Sequence, residues 1–207
     1  VSSWLGMCAL HALAPDGQCK TFDHMADGYG RSEACGAVML QLSWLRAQMV
    51  VLGTAVNQDG RSASFMAPNG PSQQQAVQSA TQSPVVDGVE THGTGTALGD
   101  PIEVGALRLV CSHLPSALVL GAYKSQIGHA EGAAGMAGLV KVVHSLQQYS
   151  TTPNLQLGHS NPKLAVEGFA VLLVSQLIQI AQERVLSIGV SSFGYSGTNS
   201  HAALRAS

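Results

Sequence analysis

The sequence predicts an α/β layered fold, and two observations carry that expectation. Short apolar runs at Val50–Val56, Val85–Glu90, Ala117–Tyr123, Phe169–Val174 and Val185–Val190 alternate with helical stretches. Three of these runs end in glycine-rich loops holding polar residues, which is how α/β sheets build sites at the C-terminal ends of their strands.

The elements follow one another in a regular way. Val50–Val56 reads as a strand and Asn57-Gln58-Asp59-Gly60 as the turn after it. Ser72, with Gln75 three residues on, has the form of a capping box opening a short helix. Val85–Glu90 is the next strand and delivers the chain to Thr91-His92-Gly93-Thr94-Gly95-Thr96. Asp100-Pro101-Ile102-Glu103 is a helix start, in which Asp100 caps, Pro101 suits the first helical position and Glu103 reaches back. Ala117–Tyr123 is a strand ending at Lys124. Gly128-His129 then leads into a Gly/Ala-rich helix from Glu131 to Gln147, whose small residues let it lie close to neighbouring backbone. The last strand runs into Ser191-Ser192-Phe193-Gly194-Tyr195-Ser196-Gly197-Thr198-Asn199.

Composition narrows the partners. The 207 residues suit one domain, and 45% apolar content is enough for a core. Charged residues are 11%, against roughly 25% in an ordinary soluble domain. With 23 glycines, this fits closely packed backbones and a surface partly hidden by other protein, though a small, weakly charged domain has the same composition. A net charge of −2, with no basic run and no aromatic platform, gives no reason to expect nucleic acid or an anionic membrane as partner. Apolar stretches fall far short of the roughly 18 residues of a membrane helix, and no secretory signal opens the chain. The absent initiator Met suits a chain cut from something longer. Cys8, Cys19, Cys35 and Cys111 form no C-x-x-C pair, so neither a metal site nor a disulfide framework is expected, and a reducing compartment is favoured.

The chemistry lies in the loops. His129 sits at the N-terminus of the Gly/Ala helix, where the helix dipole disfavours imidazolium. A neutral imidazole there donates a hydrogen bond to a carbonyl oxygen that becomes an enolate, or else serves as a capping or core histidine. Lys124 adds a positive charge to the same pocket. Glu131 either pairs with Lys124 or complements the dipole. His92 is ambiguous alone, as a site group or a turn residue, and Thr94 and Thr96 bond a ligand's amides or cap their own loop.

Taken together, these blocks resemble a known family. Cys19-Lys20-Thr21-Phe22-Asp23, Ala26 to Glu33, Ala55 to Ser62, Ala67 to Pro71, Glu90 to Val104, Lys124 to Gly138 and Gly189 to His201 are similar, in order, to the ketosynthase domains of type I polyketide synthases. The resemblance implies a thiolase-like α/β/α/β/α sandwich, here incomplete. Residues 1–70 would be the remainder of the N-terminal half and residues 71–207 the C-terminal half. It also implies decarboxylative Claisen condensation of a malonyl-type unit with an acyl chain on a cysteine. No cofactor is bound directly; the substrate rides on the phosphopantetheine of an acyl carrier protein. The expected partners are that carrier, a second ketosynthase in a homodimer and the missing N-terminal part. The expected setting is intracellular and cytoplasmic, with a plastid or other organelle also compatible.

Carried onto this sequence, His92 and His129 are the thioester-binding histidines, Lys124 orders their charge network and Glu131 is the acidic residue after the second histidine. Thr94 and Thr96 meet the pantetheine arm. Phe193, Gly194 and Tyr195 form the gating loop. The family's D-x-A-C-S-S block does not occur, and neither Cys8 nor Cys35 has its neighbours, so the chain alone is expected to be inactive. Gln41–Val50 and Gln78–Val86 are shorter than usual, Gln126 replaces an asparagine, and Arg184–Ser187 lacks a Trp-Pro approach. A non-catalytic scaffold or a decarboxylase-only loading domain is the alternative. Thr91-His92-Gly93-Thr94 also has the form of a subtilisin histidine block, but Asn199 stands where that fold wants serine. Gly93-x-Gly95 misses the third glycine of a dinucleotide fingerprint, which falls at Gly99 instead of position 98.

Overall fold

The computed structural model describes residues 2–42, 47, 49–60, 67–81, 86–180 and 185–207. Arg61, Ser62, Val85, Arg184 and the inner parts of the two shortened stretches lie outside the described residues.

A helix α1 (Ser2–Ala9) leads through irregular chain to strand β1 (Met49–Gln58). Then come α2 (Gly70–Ala80), β2 (Gly88–Glu90), α3 (Gly99–Cys111), β3 (Leu118–Gly121), the single turn α4 (Lys124–Ile127) and α5 (Ala134–Gln148). Short strands β4 (Ser150–Thr151), β5 (Val171–Leu173) and β6 (Ile178–Gln179) follow, and β7 (Ser187–Phe193) with β8 (Thr198–Ala206) closes the chain.

Six strands form one sheet in the order β1-β8-β7-β2-β3-β5. β7, β2, β3 and β5 are parallel, with Gly88 opposite both Ile188 and Val119, whereas β1, β8 and β7 pair antiparallel. The C-terminal ends of β7, β2 and β3 therefore sit side by side on one edge of the sheet. That edge is where the three polar loops emerge.

Each face of the sheet is covered by helices. Val77 from α2 and Val104, Leu107 and Cys111 from α3 pack with Val89, Leu118 and Leu120 on one face. On the other, Val142 and Leu146 of α5 pack with Leu186, Val190 and Leu204. Burying such side chains contributes roughly 1.5–3 kcal/mol each, which is what holds the layers together. The small residues of α5 work as expected at two positions: an added Cβ would lie 3.2 Å from Ser192 at Gly135 and 3.3 Å from Val190 at Gly138. A buried ion pair crosses the same layer, Lys141 Nζ to Glu90 Oε2 at 2.8 Å.

Three local expectations are corrected. The cap of α2 is Asn69, whose side chain accepts the Ser72 N–H at 3.2 Å; Ser72 itself lies in the first turn. Asp100 does not cap α3, which begins at Gly99 with no side chain bonded from its N-cap residue, Leu98. Instead Asp100 is fully buried and accepts the N–H groups of Phe22 (2.9 Å) and Gly95 (3.1 Å). Glu103 likewise reaches the loop before the helix and not the helix end. Local sequence signals favour capping, while the loops' need for buried acceptors decides the outcome.

Candidate active site

The loop after β2 is shaped by two carboxylates from the helix that follows it. Glu103 accepts from the backbone N–H groups of His92 (2.7 Å) and Gly93 (2.9 Å), and Asp100 from that of Gly95. Gly93 (φ 43°) and Gly95 (φ 75°) take left-handed conformations, and a Cβ at Gly95 would lie 2.7 Å from the Lys20 nitrogen. Thr21 Oγ1 donates to Gly93 O at 2.8 Å and locks the turn from the other side. Burial pushes the Asp100 carboxyl up to about 6 and the Glu103 carboxyl up to about 7, against the pull of these hydrogen bonds.

The loop after β3 delivers the second histidine. Its chain runs beside residues 30–32: His129 N–H donates to Gly30 O (2.7 Å) and Ser32 N–H to His129 O (3.0 Å). The rings of His92 and His129 meet edge to face, with centroids 5.3 Å apart. Each ring has its Nδ1 occupied as an acceptor. The Phe193 N–H donates to His92 Nδ1 (3.3 Å) and the Glu131 N–H to His129 Nδ1 (2.8 Å). In both neutral rings the proton therefore sits on Nε2. Burial and the Lys124 charge hold both rings neutral, with His92 well below the usual imidazole range and His129 brought down to about 3.

Around them lies a cavity of about 630 Å³ lined by His92, Thr94, Thr96, His129, Glu131, Phe193, Gly194 and Tyr195, among others. Eight of the nine site residues expected from sequence thus border one space. The ninth, Lys124, does not. It opens α4 and not the end of β3, is buried behind the cavity wall, and has its ammonium 4.5 Å from the Tyr123 ring centroid. Burial pulls its pKa down to about 8, while Glu103 and Glu90 push it back up.

Of the two readings open for Glu131, pairing with Lys124 is not the one formed: Glu131 Oε2 accepts from Arg31 Nη2 at 2.7 Å. Thr96 Oγ1 stands 3.1 Å from Thr94 Oγ1 and accepts the Gly99 N–H, so it closes the start of α3 as well as facing the cavity. The Phe193–Tyr195 loop is tied down from below by Asn199, whose Nδ2 donates to Asp59 Oδ1 (2.6 Å) and Asn57 Oδ1 (3.1 Å). The α1 region contributes Met7, His11 and Ala12 to the cavity, a contribution with no signal in the sequence.

None of the four cysteines lines this space. Cys8 and Cys35 are exposed and free, and burial pushes the thiols of Cys19 and Cys111 up to about 11. Among the described residues no three or more His, Cys, Asp or Glu stand together as metal ligands, and no helix is long and apolar enough to cross a membrane.

A half-buried pair of neutral imidazoles facing one cavity, set on a layered α/β fold, places the chain in the thiolase-like class. Residues 48–158 match the family model "Beta-ketoacyl synthase, C-terminal domain" and residues 1–43 its N-terminal counterpart, and the chain belongs to the β-ketoacyl synthase family. It is 43% identical over 208 residues to the spectinabilin polyketide synthase system protein NorA' of Streptomyces orinoci, across 93% of this chain and 6% of that protein. Against the mycoketide-CoA synthase of Mycobacterium tuberculosis it is 43% identical over 210 residues, 94% of this chain and 5% of that one. Its structure superposes on the oxazolomycin ketosynthase domain of Streptomyces albus JA3453 with a TM-score of 0.91 at 31% identity, covering 99% of this chain and 39% of that one. A ketosynthase from module 6 of the bacillaene synthase of Bacillus subtilis 168 gives 0.85 at 30% identity, with 100% of this chain and 40% of that one covered. The chain therefore spans only a small part of these relatives.

Proposed function

We propose that the protein containing this chain carries out decarboxylative Claisen condensation on acyl carrier-bound substrates, as part of a polyketide synthase. The observation that carries this reading is the pair of Nε2–H tautomers, each fixed by a backbone N–H on Nδ1, bordering one cavity. The thioester oxygen of a malonyl-type unit accepts a hydrogen bond from each Nε2–H. The bond to the carboxylate carbon breaks, carbon dioxide leaves and the electron pair becomes an enolate whose oxygen the two donors stabilise. The enolate carbon then attacks the thioester of the acyl chain, a carbon–carbon bond forms and the thiolate departs. Neutral rings suit this task, since they donate to the oxygen without first surrendering a proton.

In this reading Lys124 acts from behind, its charge keeping both rings unprotonated. Thr94 and Thr96 meet the pantetheine arm and Phe193 with Tyr195 gates the acyl side. The acyl-bearing thiol comes from outside this chain, so the chain alone does not turn over. Glu33–Leu42 runs exposed without helix or strand, with Leu40 and Met39 left bare, which supports a covering half that these residues normally meet. A second ketosynthase and an acyl carrier protein complete the proposed assembly.

The test is the rate of carbon dioxide release from malonyl carrier protein by the complete synthase. His129→Ala removes one donor and slows release by roughly 10²–10³-fold. An unchanged rate overturns the assignment.

A further inference from the structure

We propose that Arg31 is a positioning residue for His129: its ion pair holds Glu131 in the left-handed conformation from which the Glu131 backbone N–H fixes the imidazole tautomer. The inference rests on the functional reading above and adds a device to it.

Three observations converge. Glu131 has φ 46°, a conformation that a non-glycine residue occupies only when its surroundings impose it. Its N–H donates to His129 Nδ1 at 2.8 Å, and that bond leaves the ring's one proton on Nε2. Its carboxylate is held 2.7 Å from Arg31 Nη2, and Arg31 belongs to the very segment whose backbone brackets His129, through Gly30 O and the Ser32 N–H. One short stretch therefore grips the histidine backbone on one side and the strained residue after it on the other.

If Glu131 relaxes to a negative φ while the chain on either side stays held, the Ala130–Glu131 peptide turns over by a compensating change in the Ala130 ψ, which stands at 16°, and its N–H leaves the ring. Nδ1 then lacks its donor, and either nitrogen can carry the proton. Only the Nε2–H form presents a donor in place for the enolate, so the share of that tautomer sets the share of competent sites. The side chain of Glu131 needs no contact with substrate for this. The positive charge of Arg31 also disfavours imidazolium at His129.

The experiment uses the complete synthase with ¹⁵N-labelled histidine near pH 7, reading the two ring nitrogens of His129 alongside carbon dioxide release from malonyl carrier protein. The wild type gives one protonated-type and one bare-type nitrogen. In Arg31→Ala the two signals move toward each other, and kcat falls about tenfold with KM within about twofold, part of the full loss expected for a missing donor. Arg31→Lys, which keeps a charge at that place, restores most of both. Glu131→Gly takes the left-handed conformation without an ion pair, so its ring nitrogens match the wild type and adding Arg31→Ala changes them no further. Should Arg31→Ala fail to fold, Glu131→Gln gives the same readout, with a mixed pattern expected.

A wild-type nitrogen pattern in Arg31→Ala, or a mixed one in Glu131→Gly, overturns the proposal. If the wild type releases no carbon dioxide, the functional reading fails, while the nitrogen pattern still decides the role of Arg31.

Discussion

Glu103 and His92 are joined backwards along the chain, the buried carboxylate of the helix accepting the backbone N–H of the histidine eleven residues before it at 2.7 Å. The same carboxylate takes the Gly93 N–H at 2.9 Å, so both amides at the crest of the loop depend on one side chain. Glu103→Gln offers them only one oxygen and turns an NH₂ group toward the other donor. The expected cost is about 2 kcal/mol, the range for a buried donor left without a partner, and urea unfolding of the complete protein measures it.

The titrating groups of the site pull in opposite directions. The folded pKa of His129, about 3, lies below the ordinary value of 6.5, so its neutral ring's contribution is complete above the ordinary value and is lost as pH falls toward about 3. Glu103, raised to about 7, contributes at low pH and loses that contribution as pH rises through its folded pKa. Between about pH 4.5 and 6.5, where both groups act, the two largely offset each other. Removing the acid in Glu103→Gln should therefore make unfolding free energy climb more steeply with pH over that range, which denaturation at a series of pH values reads out.

Asn199→Asp is expected to loosen the loop of Phe193 and Tyr195. The amide nitrogen lies 2.6 Å from Asp59 Oδ1, and a carboxylate there sets two like charges against each other in a partly buried place. The cost is about 2–4 kcal/mol at neutral pH, shrinking as the pH is lowered and one carboxyl takes up a proton. Thermal melts at neutral and mildly acidic pH test both the size and the sign.

Thr94 and Thr96 are separable although they touch. Thr96 Oγ1 accepts the Gly99 N–H at the start of α3, so Thr96→Val should lower stability by about 1 kcal/mol, the usual cost of losing a capping acceptor. Thr94→Val spares that bond and should chiefly raise KM for carrier-bound substrate. Steady-state kinetics and a melt on both variants distinguish the two roles.

The alternation of strands and helices is legible in the sequence because apolar runs and turn residues act locally, and so are the three loops. The order of the strands is not, since pairing is a property of the sheet. Asp100 and Glu103 carry a sound capping signal, yet both bond loops whose demand for acceptors arises only on folding. Arg31 offers no local cue at all; its partner lies 100 residues away. Asn69 is hidden because Ser72 and Gln75 make an equally good helix start on paper.

Because β2 and β3 are neighbours in the parallel part of the sheet, the two chain segments that carry the imidazoles leave it one inter-strand step apart, about 4.8 Å. The contacts beyond the ladder then set the spacing: Glu103 of α3 holds the His92 backbone, and Gly30 with Ser32 holds that of His129. Drift on the helix surfaces leaves such a pair in register, whereas a one-residue slip between β2 and β3 would separate the rings without altering a single side chain of the site.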